Sequence, residues 1–367
     1  MKTSVRGKPN KGDVAEAILG AAMTASFRRG FDHRIQQDEV EDILSDIADR
    51  ASGCISPVMM EYQAERTSGE TDTILLRVCL PKPSMRMVID RSVITDKSMA
   101  PLFKSSVGFV NNSGRLAELA EMCADGITNT IRVFSGGTEN QRGTKVDIKT
   151  EIDGDSEVLK ISLKVTGGAQ IGQSVGLKFE NITRFWKSMG IFMPGEVQQE
   201  FDKIVETSIA ASEAFESRDK LYVTALKELG PLFQRLYESA LKQAKSLVGN
   251  DQKDINFIKN VVGLLREQAT RGEPGVVLVK LSTRKNGGFS TLSFDQSLSD
   301  EIAKLDFDVK IEFEDSLPKM IFFDRKTEKD LFQIRTRLDT RKVKAGRRLI
   351  LRTYVETKPF LFELTSD

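Results

Sequence analysis

The chain has 367 residues, of which 40% are hydrophobic and 29% charged, the ordinary balance of a globular protein with about two domains. Lysine and arginine number 54 against 53 aspartates and glutamates, so the net charge of +1 indicates no bulk attraction to nucleic acid. A single histidine, His33, excludes a histidine-rich zinc site, so any metal must be held mainly by oxygen ligands.

The cysteines and the apolar runs predict a cytoplasmic protein. Cys54, Cys79 and Cys123 are widely spaced and form no CxxC pair, which favours a reducing compartment. The N-terminal segment lacks the apolar core of a signal peptide. Since no stretch approaches about 18 consecutive apolar residues, we expect no membrane span.

The first part of the chain alternates helix and strand patterns. A helix begins near Asp13, and its stripe of small apolar residues has Glu16 beside it. Further predicted elements are an acidic helix over 36–50, strands over 73–80 and 86–90, and a helix over 113–124.

A β-hairpin is predicted over residues 145–166, where two alternating stretches flank the polar tip "DGDSE". Asp147 lies on its first strand. Ser162 and Lys164 share one face of the second strand, because strand side chains alternate, while Ile161 and Leu163 share the other face. The hairpin therefore offers an acid, a hydroxyl and an ammonium group to one side. The structural alternative is a cross-strand surface salt bridge.

The remaining chain predicts a helical block followed by strands. A helix follows Gly168, and nearly all of residues 195–271 have helical periodicity, with Pro231 expected to kink or break one helix. Strands are predicted over 275–282, 307–313, 319–323, 331–338 and 349–356. The fold class is α+β, a central mixed β-sheet flanked by helices. We expect a core over 1–190, a helical insertion over 191–272 and a β-rich C-terminal part over 273–367.

Basic residues are concentrated in the last predicted hairpin. Such a hairpin can hold the phosphates of DNA or enter a groove as a β-ribbon, although lysine and arginine also protect edge strands from aggregation. The candidate contacts are Arg335, Arg337, Arg347, Arg348 and Arg352.

The hairpin over 145–166 resembles the PD-(D/E)xK nuclease superfamily, which includes many restriction enzymes and Holliday-junction resolvases. The match consists of Asp147 followed fifteen residues later by Ser162-Leu163-Lys164. In that superfamily carboxylates bind a divalent ion and a lysine supports the attacking water. The resemblance implies a restriction-endonuclease-like core in which a glutamate of the first helix, here Glu16, can join the metal site. It also implies a glutamine beyond the lysine strand, here Gln170 or Gln173.

One position departs from the pattern, because Ser162 stands where the superfamily has an acid. The resemblance leaves three alternatives. Glu180, in the following helix, supplies the missing carboxylate, or Glu16 supplies it, or the site is degenerate and the chain only binds DNA. Solvent-facing positions are the simpler interpretation of both glutamates.

These features together predict a Mg²⁺-dependent (or Mn²⁺-dependent) DNA endonuclease of restriction or resolvase type in a prokaryotic or phage-infected cell. Lys164 would support the attacking water, Ser162 would orient a ligand water, and Gln173 would touch the scissile region. Because two strands need two sites, such a role implies a homodimer. The alternatives are a non-catalytic DNA-binding protein and a viral structural or assembly protein whose block 195–271 mediates contacts. The sequence does not choose between DNA and RNA.

Overall fold

The computed structural model describes most of the chain, with gaps between the described segments. The described segments are 11–29, 34–51, 58–63, 73–78, 96–124, 130–135, 145–152, 155–165, 170–206, 218–248, 251–314, 317–343 and 346–364. The predicted strand over 86–90 and residues 153–154 at the hairpin tip lie outside them.

The chain divides into two compact units, each with its own sheet. The first consists of residues 1–168 and 273–293, and the second of 169–272 and 294–367. These bounds differ from the division expected at residues 190 and 272. The reason is that residues 276–281 pair with a strand of the first unit.

The first unit contains four helices and seven strands among the described residues. The helices are α1 (Lys11–Arg29), α2 (Gln37–Ala51), α3 (Ala100–Asn112) and α4 (Gly114–Ala124). The strands are β1 (Val58–Gln63), β2 (Thr73–Val78), β3 (Thr130–Ser135), β4 (Ile148–Ile152), β5 (Asp155–Val165), β7 (Val276–Leu281) and β8 (Phe289–Leu292). They form one mixed sheet in the order β1-β2-β3-β4-β5-β7-β8. The pairs β2/β3 and β5/β7 are parallel and the others antiparallel.

Helix α1 is the centre of the first unit's core. Its alanines, among them Ala17, Ala21 and Ala25, are at most 4% exposed. Small side chains let the helix backbone lie close to the sheet, where it contacts β2, β3 and β5. The helix predicted from Asp13 is confirmed, and it begins at Lys11, so Asp13 lies in its first turn.

The second unit contains six helices and five strands among the described residues. The helices are α5 (Phe179–Ser188), α6 (Gly195–Ile204), α7 (Arg218–Leu247), α8 (Asp251–Thr270), α9 (Gln296–Ala303) and α10 (Pro359–Glu363). The strands are β6 (Gln170–Val175), β9 (Phe307–Glu314), β10 (Leu317–Asp324), β11 (Lys329–Val343) and β12 (Gly346–Thr357). They form an antiparallel sheet in the order β6-β12-β11-β10-β9. Helix α7 packs on this sheet, with the buried Tyr237 hydroxyl 3.1 Å from Thr336 Oγ1.

The α+β prediction is confirmed, but one local prediction is wrong. After Gly168 the chain first forms strand β6, and the helix begins only at Phe179. Helix α7 continues through Pro231 without a break. Within the described segments, no helix combines the length and apolar character that crossing a lipid bilayer requires.

Candidate active site

The β4–β5 hairpin separates apolar and polar residues onto its two faces. Ile148, Ile161 and Leu163 are buried in the same core cluster as helix α1. Asp147 immediately precedes β4, and Ser162 and Lys164 belong to the opposite face of β5. The alternating sequence therefore forms the predicted hairpin and gives its polar face an acid, a hydroxyl and an ammonium group.

The structure brings Asp147, Ser162 and Lys164 together at one end of this hairpin. The amide of Leu163 donates to Asp147 Oδ2 at 2.5 Å, and Lys164 Nζ lies 3.9 Å from the same oxygen. Lys164 Nζ also donates to the Leu163 carbonyl at 2.9 Å and to Ser162 Oγ at 3.4 Å. The Asp147 and Lys164 side chains are 21% and 26% exposed, so both reach solvent while held by fixed partners.

Ser162 is buried beneath Lys164 and contacts it. Its residue is 0% exposed, and its hydroxyl accepts a hydrogen bond from the lysine ammonium. This contact lets the hydroxyl orient Lys164, and the role of Ser162 in orienting a ligand water stays a prediction.

Burial of the Asp147 carboxyl raises its pKa above the usual value. Lys164, the Leu163 amide and Lys145 act in the opposite direction and lower the pKa, while the negative charge of Asp13 raises it further. The charged carboxylate form of Asp147 is therefore less favourable here than it is in water. A cation bound at this oxygen would stabilise that form.

Two acids of helix α1 are candidate partners of Asp147. Asp13 acts electrostatically on the Asp147 carboxyl. Glu16 follows one turn later on the same helix, and its Oε2 is buried. The sequence predicts Asp13 only as the start of the helix, although its three-residue spacing from Glu16 is a signal that places both acids on one face.

The donor set fits Mg²⁺ or Mn²⁺ in kind but is sparse. The described segments contain no group of three or more histidine, cysteine, aspartate or glutamate side chains that could hold a metal ion. Magnesium is nevertheless often held by only one or two carboxylates, with water and substrate phosphate oxygens completing its shell. Asp147 supplies one such carboxylate, and Asp13 of α1 acts on it electrostatically.

Glu180 and Gln173 belong to the second unit. Glu180 lies in the first turn of α5, is exposed, and lines an open cavity of about 550 Å³ together with Lys178 and Phe192. Gln173 is exposed on β6 and accepts a hydrogen bond from Gln170 Nε2 at 3.1 Å.

The five arginines predicted to contact DNA have different surroundings in the β11–β12 hairpin. Arg335 forms an ion pair with Glu356 at 2.7 Å, and Arg352 Nε lies 3.0 Å from Asp339 Oδ2. The Cζ atom of Arg337 lies 6.0 Å from the centre of the Tyr354 ring, and Arg348 is exposed.

The strand register assigns these arginines to faces. Position 337 pairs with 352 and position 341 with 348, so these four positions share a face. Arg347 pairs with Lys342, which puts its position on the opposite face. We call Arg337, Arg348 and Arg352 the arginine face.

No family model matches the chain, and no curated protein or solved structure matches it. The geometry of the site therefore has to indicate the function.

Proposed function

We propose that the protein is a metal-dependent DNA endonuclease with a divergent PD-(D/E)xK site in its first unit. The observation that carries the proposal is the meeting of Asp147 and Lys164 at one end of the β4–β5 hairpin, with 3.9 Å between Nζ and Oδ2. The electrostatic influence of Asp13 on Asp147 supports it, because it brings a second acid into play from α1. The mixed sheet also agrees with the core that the resemblance implies.

Each side chain has a role in this proposal. Asp147 with Asp13 or Glu16 would hold Mg²⁺ or Mn²⁺, which when bound supplies Lewis-acid activation of water and phosphate. Lys164 is positioned by Ser162 Oγ and the Leu163 carbonyl, so its ammonium is available to stabilise charge on a phosphate oxygen. The arginine face would hold the DNA backbone. A homodimer in the cytoplasm of a prokaryotic or phage-infected cell remains part of the proposal.

A second candidate function is DNA binding without cleavage. It is favoured by the buried Ser162, which leaves β5 without a carboxylate beside Lys164, and by the sparse donor set around Asp147. Such a protein would bind DNA equally well with and without metal. Its affinity would still fall steeply with salt, because phosphate contacts release counterions.

Cleavage of supercoiled plasmid in Mg²⁺ or Mn²⁺ tests the proposal with three proteins: the wild type, Lys164→Met and Lys149→Met. Methionine keeps the apolar stem of Lys164 and removes its charge, so we expect cleavage to fall by at least about 100-fold. Lys149 already has Glu151 as its ion-pair partner on β4, so its substitution should leave the rate near that of the wild type.

The outcomes separate the candidates. Folded wild-type protein that binds plasmid and branched DNA but cleaves neither would favour the second candidate. Equal cleavage by all three proteins would contradict the assignment of the site to this hairpin.

A further inference from the structure

The edge of the first sheet that contains Asp147 and Lys164 also contains a lysine of β7. Strands β5 and β7 are parallel and pair Lys164 with Lys280, each the penultimate residue of its strand. Strand β4 is antiparallel to β5, so Asp147, just before β4, lies at the same edge. Ligands of open α/β sheets bind outside the carboxyl ends of parallel strands, which is where these three residues are found.

Lys280 shares a face of the sheet with a second lysine. Paired positions on adjacent strands share a face about 4.8 Å apart, and like charges side by side are destabilising. The residues paired with Lys280 on its two neighbouring strands are Lys164 and Ser290. Burial lowers the pKa of Lys280, and the positive charge of Arg284 lowers it further.

The turn after β7 is fixed in place against helix α3. The Ser105 hydroxyl lies 2.8 Å from the Ser282 carbonyl, which ties the start of the turn to α3. Gly287 has φ +70°, and a Cβ there would lie 2.8 Å from Lys104 Cβ and 3.3 Å from the Pro101 carbonyl. A turn held this closely presents its side chains from a rigid backbone.

This turn carries further positive charge at the same edge. Arg284 and Lys285 are exposed. Among the described residues, no carboxylate lies within ion-pair distance of either side chain. Lys164 and Lys280 bring the cations at this edge to four. Lys164 has the Asp147 carboxylate at 3.9 Å, and an anionic ligand would add a favourable interaction with the other cations.

We propose that Lys280 and Arg284 bind a second phosphate group of a polynucleotide backbone, next to the phosphate positioned at Asp147 and Lys164. The inference rests on the proposed function, which makes the ligand a polynucleotide, and it extends that site from one bound phosphate to two. It assigns the β7–β8 turn, which adjoins the hairpin through β5 and β7, to substrate binding.

The test measures binding without metal, so it does not depend on catalysis. A fluorescein-labelled duplex oligonucleotide is titrated in EDTA by anisotropy, between 50 mM and 200 mM salt. The proteins are the wild type, Lys280→Met, Arg284→Gln and Lys227→Met. Lys227 is exposed on α7 in the second unit, so its substitution controls for the loss of one positive charge.

The plot of log affinity against log salt falls with a slope of about −0.9 for each phosphate contact. Loss of one contact should therefore make the plot shallower by about 0.9. The ratio of the affinity at 50 mM salt to that at 200 mM salt should then fall about 3.5-fold. We expect this change in Lys280→Met and Arg284→Gln and none in Lys227→Met. Folded Lys280→Met with the wild-type slope would overturn the inference. If Lys280→Met does not fold, the exposed Arg284 decides, and a wild-type slope in Arg284→Gln would overturn it.

The same proteins separate this inference from the proposed function. If the wild type does not cleave but both variants lower the salt slope, the phosphate site stands without the nuclease. If the wild type cleaves in Mg²⁺ and both variants keep the wild-type slope, the nuclease stands without the second phosphate site.

Discussion

At the scale of single residues, burial and ion-pair partners decide how accessible a charged side chain on a strand is to a ligand. Arg335 was predicted to hold DNA, yet its Nε and Nη2 donate to Glu356 Oε1 at 3.0 and 2.7 Å. The other oxygen of Glu356 accepts from Gln333 Nε2 at 2.6 Å. The Arg335 and Glu356 side chains are only 15% and 13% exposed, so little of this ion pair faces solvent, whereas Arg337 and Arg348 are exposed.

Asp324, at the end of β10, is a second residue whose partners decide its role. It is 2% exposed and accepts hydrogen bonds from Thr327 Oγ1 at 2.6 Å, the Thr327 amide at 3.1 Å and the Asp306 amide at 3.0 Å. Burial pushes the pKa of the Asp324 carboxyl up, but these donors outweigh it and hold the pKa below the usual 3.8. The charged carboxylate is therefore the form that stabilises the turn.

The sign of the pH dependence follows from that depressed pKa. The stabilisation is fully present above the unfolded pKa and is lost as the pH falls through the folded pKa. We expect Asp324→Asn to lower the free energy of unfolding at pH 7 by about 1–3 kcal/mol. The difference from wild type should shrink at pH 3.

Urea unfolding at the two pH values measures this difference. Asp300→Asn is the control, because Asp300 is exposed on α9, and its difference from wild type should stay small at both pH values. A loss of stability in Asp324→Asn that is equal at both pH values would show that the carboxylate charge contributes nothing.

At the scale of elements, local sequence patterns indicate which segments can form a strand or a helix. The pairing partners then decide which structure a segment forms. The hairpin over 145–166 and the five late strands have alternating or strongly apolar patterns, and all of them form. The segment "QIGQSV" has no such pattern, yet it is strand β6 because it pairs with β12. Pro231 is tolerated within α7 because the burial of Leu229, Phe233 and Tyr237 outweighs the local penalty of about 3 kcal/mol.

The residues of the candidate site likewise differ in whether local sequence patterns could predict their positions. Asp147, Ser162 and Lys164 belong to one hairpin, so their proximity follows from alternation and a short turn, and sequence could predict it. Lys280 is more than a hundred residues away in the chain and reaches the site through the β5/β7 pairing. No periodicity in the sequence encodes such a long-range register.

The contact between β6 and α8 gives a prediction at this scale. A Cβ at Gly172 would lie 2.5 Å from Gln268 Oε1 and 2.8 Å from Gln268 Cβ, so strand and helix can meet only if position 172 has no side chain. We expect Gly172→Ala to lower the free energy of unfolding by about 1–3 kcal/mol, because the helix must shift or Gln268 must leave its rotamer.

Gly263, on the same helix, is the matched control. Nothing lies within 4 Å of its Cβ position, so Gly263→Ala should stabilise by up to about 1 kcal/mol through helix propensity alone. Urea denaturation of both variants measures the two changes. Equal effects of the same sign would contradict the close packing of β6 on α8.

At the scale of the whole molecule, each unit is built from two separated stretches of chain. Residues 273–293 complete the first sheet, and residues 294–367 supply most of the second. A single cut at residue 271 would therefore divide both units at once. The sequence-based division instead makes 273–367 a separate C-terminal part.

A chain cut between residues 271 and 272 consists of two fragments, and their behaviour distinguishes the two divisions. Arg271 and Gly272 are exposed in a turn, with φ of +55° and +76°, so a protease site can be inserted there. We expect the two fragments to remain together in native gel filtration, because β5 pairs with β7, β6 pairs with β12 and Lys160 holds Glu273 at 2.9 Å across the cut. Denaturing urea should separate them. Elution of residues 272–367 as a folded species on its own in native buffer would instead favour the boundary at residue 272.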